Sequence, residues 1–179
     1  MRYCLSVIYC FVLATCSAAE PGPGTPVPAD MLDGKKLIMK DFNLSITAPG
    51  DDWTWKSAQI GDVTGYSCRK GKLAFVVMPQ ALAQFDDSSM KNILAGVAMA
   101  AKKVGMTVSD DKIDAAERVS GFDAYQIRYS VASADQKTKM NLHMYVIKID
   151  GKNALTVLYK GVSEPPEFKS FVSSIETRK

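Results

Sequence analysis

His143 is the one histidine in the chain, with Met140 three residues before it and Met144 directly after. Imidazole and thioether together are ligands suited to copper. On a strand, however, His143 faces away from both methionines, so the three meet on one ion only through a local break. No metal site is expected, and the alternative is a packed or half-exposed strand histidine. A single histidine also leaves zinc clusters and the serine triad without parts. Cys68 precedes Arg69 and Lys70, cations that lower a thiol pKa and make a nucleophile. The same cysteine shares a strand face with Tyr66, which favours a structural role. Asp86-Asp87 and Asp110-Asp111 are acidic pairs, but neither has calcium-loop spacing, and adjacent side chains diverge. Helix caps and solvated turns are their expected role.

Trp53 and Trp55 form the most interesting pair. Two positions apart in an extended segment, both indoles fall on one side. Asp51 and Asp52 precede them, after the turn signal Pro49-Gly50. Large aromatics inside a polar rim are the composition of a protein contact patch. Trp53, Trp55, Asp51 and Asp52 are therefore the expected partner-binding residues, and the rival reading has the rings closing the rim of the core. The sequence contains no glycine-rich phosphate loop and no nucleotide fingerprint, so no cofactor is expected.

The elements that position these residues centre on 138–160, two apolar runs joined at Asp150-Gly151. That dipeptide suits the positive φ angles of a two-residue hairpin turn. Met140, Leu142, Met144 and Val146 share one face of the first arm, with His143, Tyr145, Ile147 and Ile149 on the other. A strand apolar on both sides needs cover on both sides. The run 73–78 is apolar throughout and leaves a second hairpin at Arg69-Lys70-Gly71, so it too is read as internal. Tyr125, Ile127, Tyr129 and Val131 alternate with polar neighbours, which predicts a strand with one wet face. Met90, Ile93, Leu94, Val97 and Ala101 recur at helical spacing behind the capping run 86–89, before Gly105. Phe168, Phe171, Val172 and Ile175 form a second helical stripe behind Ser163 and Pro165-Pro166.

Hydrophobic residues at 47% and charged residues at 23% are ordinary globular values, and the net charge of +3 contains no basic block. Nucleic acid is therefore a poor partner for this chain. Arg2, a short apolar run and small residues up to Ala19 have the layout of a secretory signal peptide at 1–19. Three of the four cysteines fall inside it, so a disulfide framework is not expected. The run Leu13-Ala14-Thr15-Cys16 also has the form of a bacterial lipobox, with Cys16 as the lipidated residue, although Thr15 is larger than that motif prefers. Cleavage before Cys16 and cleavage after Ala19 both stay open. Residues 20–34 hold four prolines, Pro21, Pro23, Pro26 and Pro28, and are read as a linker, with a single α+β domain at 35–179.

With Phe42-Asn43-Leu44-Ser45-Ile46-Thr47-Ala48-Pro49 leading to Trp53 and the stripe from Phe168 to Ile175 at the end, the order of elements resembles the PsbP-like and DcrB-like domains. The resemblance implies an antiparallel sheet sandwiched between helices, an α/β/α arrangement in exported bacterial proteins. It also implies an accessory role without catalysis, and it supplies no site residue. The expected function is thus an exported, periplasmic or envelope-associated binding protein whose partner is another envelope or periplasmic protein. Membrane contact is expected only through a lipid at Cys16. An immunity or inhibitor protein against a toxin or enzyme is the alternative, and a Cys68-dependent enzyme is the third reading.

Overall fold

The computed structural model describes residues 24–60, 63–103, 105–133, 135, 137 and 139–178. The leader at 1–19, with Cys16, lies outside the described residues. Among those described, the strands are β1 (Thr25–Pro26), β2 (Leu32–Asp33), β3 (Lys36–Met39), β4 (Leu44–Thr47), β5 (Thr54–Ile60), β6 (Val63–Lys70), β7 (Leu73–Ala81), β8 (Met106–Val119), β9 (Phe122–Ser133), β10 (Lys139–Lys148), β11 (Asn153–Lys160) and β12 (Glu176–Thr177). Two α-helices accompany them, α1 (Asp87–Lys103) and α2 (Pro166–Ser173).

Eight strands form one antiparallel sheet in the order β1-β5-β6-β7-β11-β10-β9-β8. The apolar runs named above take its middle positions, β7, β11 and β10. Alternation along each of these strands feeds two separate cores. Leu155, Val157 and Tyr159 of β11 point into one, while Ala154 and Leu158 point into the other. The second core lies under α1, whose Met90, Ile93, Leu94, Val97, Ala100 and Ala101 meet Ile127, Tyr129, Val131, Leu142, Met144 and Val146. Asp86 Oδ1 accepts the Ser89 backbone N–H at 2.8 Å and caps this helix, and the Tyr125 hydroxyl donates to Asp87 at 2.7 Å, tying β9 to its first turn.

The opposite face corrects the sequence reading. An α/β/α sandwich, with the sheet between two helical layers, is not what forms. That face is covered by a second antiparallel sheet of four short strands, β12-β4-β3-β2, with α2 beside it. Leu37, Met39, Leu44 and Ile46 from the small sheet and Phe168, Phe171 and Val172 from α2 pack on Phe75, Val77, Leu155 and Val157. The result is a β-rich fold carrying one long helix. Alternation of Leu44 and Ile46 with Ser45 and Thr47 marks β4, but its partners of two to four residues are too short for alternation to reveal a second sheet. Part of it lies in the segment read as linker, whose role also changes. Thr25 and Pro26 pair with Ser57 and Lys56 at the sheet edge, a position where proline's missing N–H is tolerated. Val27 is buried in the core.

The hairpin at Asp150-Gly151 forms, but not through the expected turn. Lys148 pairs with Ala154, which leaves a longer loop. There Asp150 Oδ1 accepts the backbone N–H groups of Lys152 and Asn153 at 2.7 and 2.8 Å. Gly151 is not among the glycines at positive φ; those are Gly34, Gly71, Gly105 and Gly121. A tight two-residue turn with positive φ at both positions forms instead at Ser120-Gly121, at φ of 51° and 86°, between the paired residues Val119 and Phe122. A β-carbon at such angles strains the backbone by about 1–3 kcal/mol. Gly121→Val is accordingly expected to lower the denaturant midpoint by that much. Gly151→Val, with nothing within 4 Å of its added carbon, should leave it nearly unchanged, and equal losses would contradict this turn assignment.

Candidate functional site

The residues expected to meet a partner are not presented together. Trp53 and Trp55 are only 7% and 9% exposed. Trp53 stacks on Phe75 at 4.7 Å between ring centroids, and Trp55 lies 5.7 Å from Phe171. The Trp55 Nε1–H donates to the Lys35 carbonyl at 3.0 Å, meeting the need of a buried indole for an acceptor. Both rings are therefore core residues, pulled inward because β5 faces the apolar underside of α2. Asp51 and Asp52 stay exposed, paired with Lys35 and, at 2.7 Å, with Lys70.

Cys68 is fully buried, and burial pushes its thiol up to about 12. At neutral pH it is protonated and shielded, the opposite of an activated nucleophile. Met144 is buried in the core under α1 and Met140 packs against it, on the side away from His143. Among the described residues no three of His, Cys, Asp and Glu are placed to hold a metal ion. A groove of about 530 Å³ between α1 and β8, lined by Leu94, Ala98, Val108 and Ile113 with Lys91 and Asp111, has no converging polar groups to orient a ligand.

Chemistry gathers elsewhere, on the part of the large sheet beyond the small sheet and α2. Three residues of β9 and three of β10 point to that same side. Gln126 stands opposite Tyr145, Arg128 opposite His143 and Ser130 opposite Asn141. On β8, Asp114 and Lys112 extend the first two rows, opposite Gln126 and Arg128. On β11, Tyr159 flanks His143, with ring centroids 6.0 Å apart. Arg128 Nη2 donates to Asp114 at 2.5 Å, and this bond comes first in holding the Asp114 carboxyl below the usual carboxylate range. Ser130 and Asn141 are hydrogen-bonded at 2.8 Å.

Residues 161–165, running from β11 to α2, lie across this block as a strap. Asn141 binds the strap twice, its carbonyl accepting from Gly161 N–H at 3.0 Å and its Nδ2 donating to the Val162 carbonyl at 3.1 Å. Glu164 accepts from the Tyr145 hydroxyl at 3.1 Å and from Gln126 Nε2 at 3.4 Å. Burial, followed by the Glu164 charge, raises the Tyr145 hydroxyl to about 12, so it remains a donor. Gly161 is required for the close approach, since a β-carbon there collides with the Tyr159 ring.

Not every polar atom is met. Both nitrogens of His143 and Nε of Arg128 are buried without a hydrogen-bond partner, a condition that calls for explanation in a folded protein. Burial holds the His143 imidazole below its ordinary value of 6.5, with Arg128 adding to this and Glu164 opposing it. The Gly161 backbone beside the ring also favours the charged form, without completing a hydrogen bond.

No family model matches the chain, and neither does any curated protein. One similarity to a solved structure is informative. A crystal structure from Bacteroides thetaiotaomicron is 13% identical at a TM-score of 0.51, over 83% of this chain and 50% of that one. The likeness concerns the fold alone, and this chain corresponds to half of that protein's length.

Sequence reasoning passed over this block because its members come from alternate positions of two strands and one connecting segment. A signal was nevertheless available. Gln126, Arg128 and Ser130 share one parity, Asn141, His143 and Tyr145 share another, and antiparallel pairing through 133–139 brings the two sets together.

Two outcomes test this placement. Trp53→Ala and Trp55→Ala are each expected to cost about 3–5 kcal/mol in denaturant unfolding, the scale of a large aromatic removed from a core; an unchanged midpoint would return the rings to the surface. For His143 the folded pKa is depressed, so below 6.5 the unfolded chain binds the proton more readily. The stability this residue contributes is full above that pH and lost as pH falls through the folded value. Midpoints measured between about pH 5 and 8 should fall more steeply on acidification for the natural chain than for His143→Gln.

Proposed function

We propose that this is an exported, envelope-associated accessory protein that acts by binding another envelope or periplasmic protein, and that the polar block under the strap is its contact face. The carrying observation is the set of buried donors without acceptors on His143 and Arg128. A buried unmet donor costs roughly 1–3 kcal/mol, so a partner that brings acceptors gains that energy on binding. Export rests on the leader at 1–19, removed either after Ala19 or before a lipidated Cys16. From the resemblance to PsbP-like and DcrB-like domains the reading takes only compartment and mode of action, since the architecture it implied is not the one formed.

The inhibitor reading is a special case of the same face. It requires a stoichiometric complex that abolishes the activity of an enzyme from the same compartment. The Cys68-dependent enzyme is the less favoured reading, because the thiol is buried and its pKa raised.

The test uses the processed protein immobilised against an envelope extract, beside Arg128→Ala and Tyr145→Phe. Retention of a specific partner is expected to drop at least tenfold in Arg128→Ala, about 1.4 kcal/mol in binding. Equal retention by all three proteins would place the contact elsewhere. Intact mass of the exported protein should begin at Glu20 or at a diacylated Cys16, and a retained Met1 would overturn the export reading.

A further inference from the structure

Donors around Glu164 are left unmet. Tyr145 donates to its carboxylate, and Gln126 shares its Nε2 between that carboxylate at 3.4 Å and the Tyr145 hydroxyl at 3.0 Å, while Arg128 spends Nη2 on Asp114 and keeps Nε unmet. A neutral His143 adds one more N–H with no acceptor. A carboxylate accepts about four hydrogen bonds, yet the one supplied by the strap receives two from neutral groups, one of them long at 3.4 Å.

We propose that this part of the sheet is a receptor site for a carboxylate brought by a protein partner, and that Glu164 fills it in the free chain as an internal stand-in. The inference rests on the contact-face reading above and names the chemistry that face recognises. A partner's carboxylate, entering as the strap lifts, takes the Tyr145 and Gln126 donors and comes within reach of Arg128 Nε and the His143 ring. Glu164 is well suited to leave. It sits on a connecting segment whose apex, Val162, is 90% exposed, so no packed apolar side chain holds the apex down. The group could arrive as an acidic side chain or as a chain terminus; both carry the same carboxylate, and the probes below separate them.

Because His143 is the only histidine, its two imidazole proton resonances report directly on this site. The processed protein and its Glu164→Ala variant are titrated with two peptides. One contains glutamate and has both ends blocked; the other is triglycine with a free carboxyl terminus. In Glu164→Ala at least one peptide is expected to shift the His143 resonances saturably, with an affinity at least tenfold above that for the natural chain. Adding Arg128→Gln to that variant is expected to abolish the response. Glu164→Gln, which keeps an amide oxygen on the strap and removes its charge, covers the case in which Glu164→Ala does not fold, and should bind more tightly than the natural chain. The identity of the responding peptide assigns the source of the carboxylate. If folded Glu164→Ala and Glu164→Gln bind neither peptide more tightly than the natural chain, the carboxylate inference fails. Partner retention that still depends on Arg128 would in that case leave the contact-face reading standing.

Discussion

The central strands of the large sheet are apolar on both faces, and every other layer of the molecule answers to that. A strand such as β11, with Leu155, Val157 and Tyr159 on one side and Ala154 and Leu158 on the other, is stable only when both sides are dry. Burying one such side chain contributes about 1.5–3 kcal/mol, and leaving either face in water forfeits several of them at once. One cover is a single long helix. The other is assembled from both ends of the described chain, because β12 pairs with β4 and β2 with β3. Phe75 is where this second cover closes. Fully buried, its ring lies within 6 Å of Trp53, Tyr159, Phe168 and Phe171, so β7, β11, α2 and the residue that leads into β5 meet on one side chain.

The second cover is smaller than the face beneath it, and the sequence changes where it ends. Toward β9 and β8 the positions on that face turn from Phe75, Val77 and Val157 to Gln126, Arg128, Ser130 and Asp114, while the helix-covered side remains apolar through Ile127, Tyr129 and Val131. The strap then covers polar side chains with polar atoms. It is held by hydrogen bonds to Asn141, Tyr145 and Gln126, where the rest of the cover is held by apolar contact.

What could be read from the sequence follows the length of each signal. The two-faced strands, α1 with its cap at Asp86 and the stripe of α2 are runs of eight residues or more with one clear periodicity, and their placement matches the pattern. Of the small sheet only β4 shows alternation, at Leu44 and Ile46; its partners have two to four residues each, so the pattern predicts a lone strand and a helical layer. Turn chemistry misled at Gly151, where the Asp150 side chain organises a wider loop through its own hydrogen bonds. The aromatic pair misled for a different reason: alternation correctly puts Trp53 and Trp55 on one side, but the sequence does not say which side the core occupies. The polar block required two strands to be read in register, together with a glutamate twenty residues further on.

The strap therefore occupies a specific place in the energetics. Global unfolding must expose both cores at once, whereas lifting 161–165 breaks the four hydrogen bonds named above and moves an apex already in water. Local openings of this kind lie at the low end of the free-energy range within a protein, well below the global value. Hydrogen bonds to Asn141, Tyr145 and Gln126 each stabilise by about 0.5–1.5 kcal/mol net, with those to the charged Glu164 nearer the top of that range or above it. Against them stand the unmet donors of His143 and Arg128, whose desolvation is already incurred in the closed form. Opening restores water to those donors, and its apolar cost is confined to the Tyr159 ring beside Gly161. The strap is thus the segment of this cover that a partner can displace at least cost, directly above the side chains with unused hydrogen-bonding capacity.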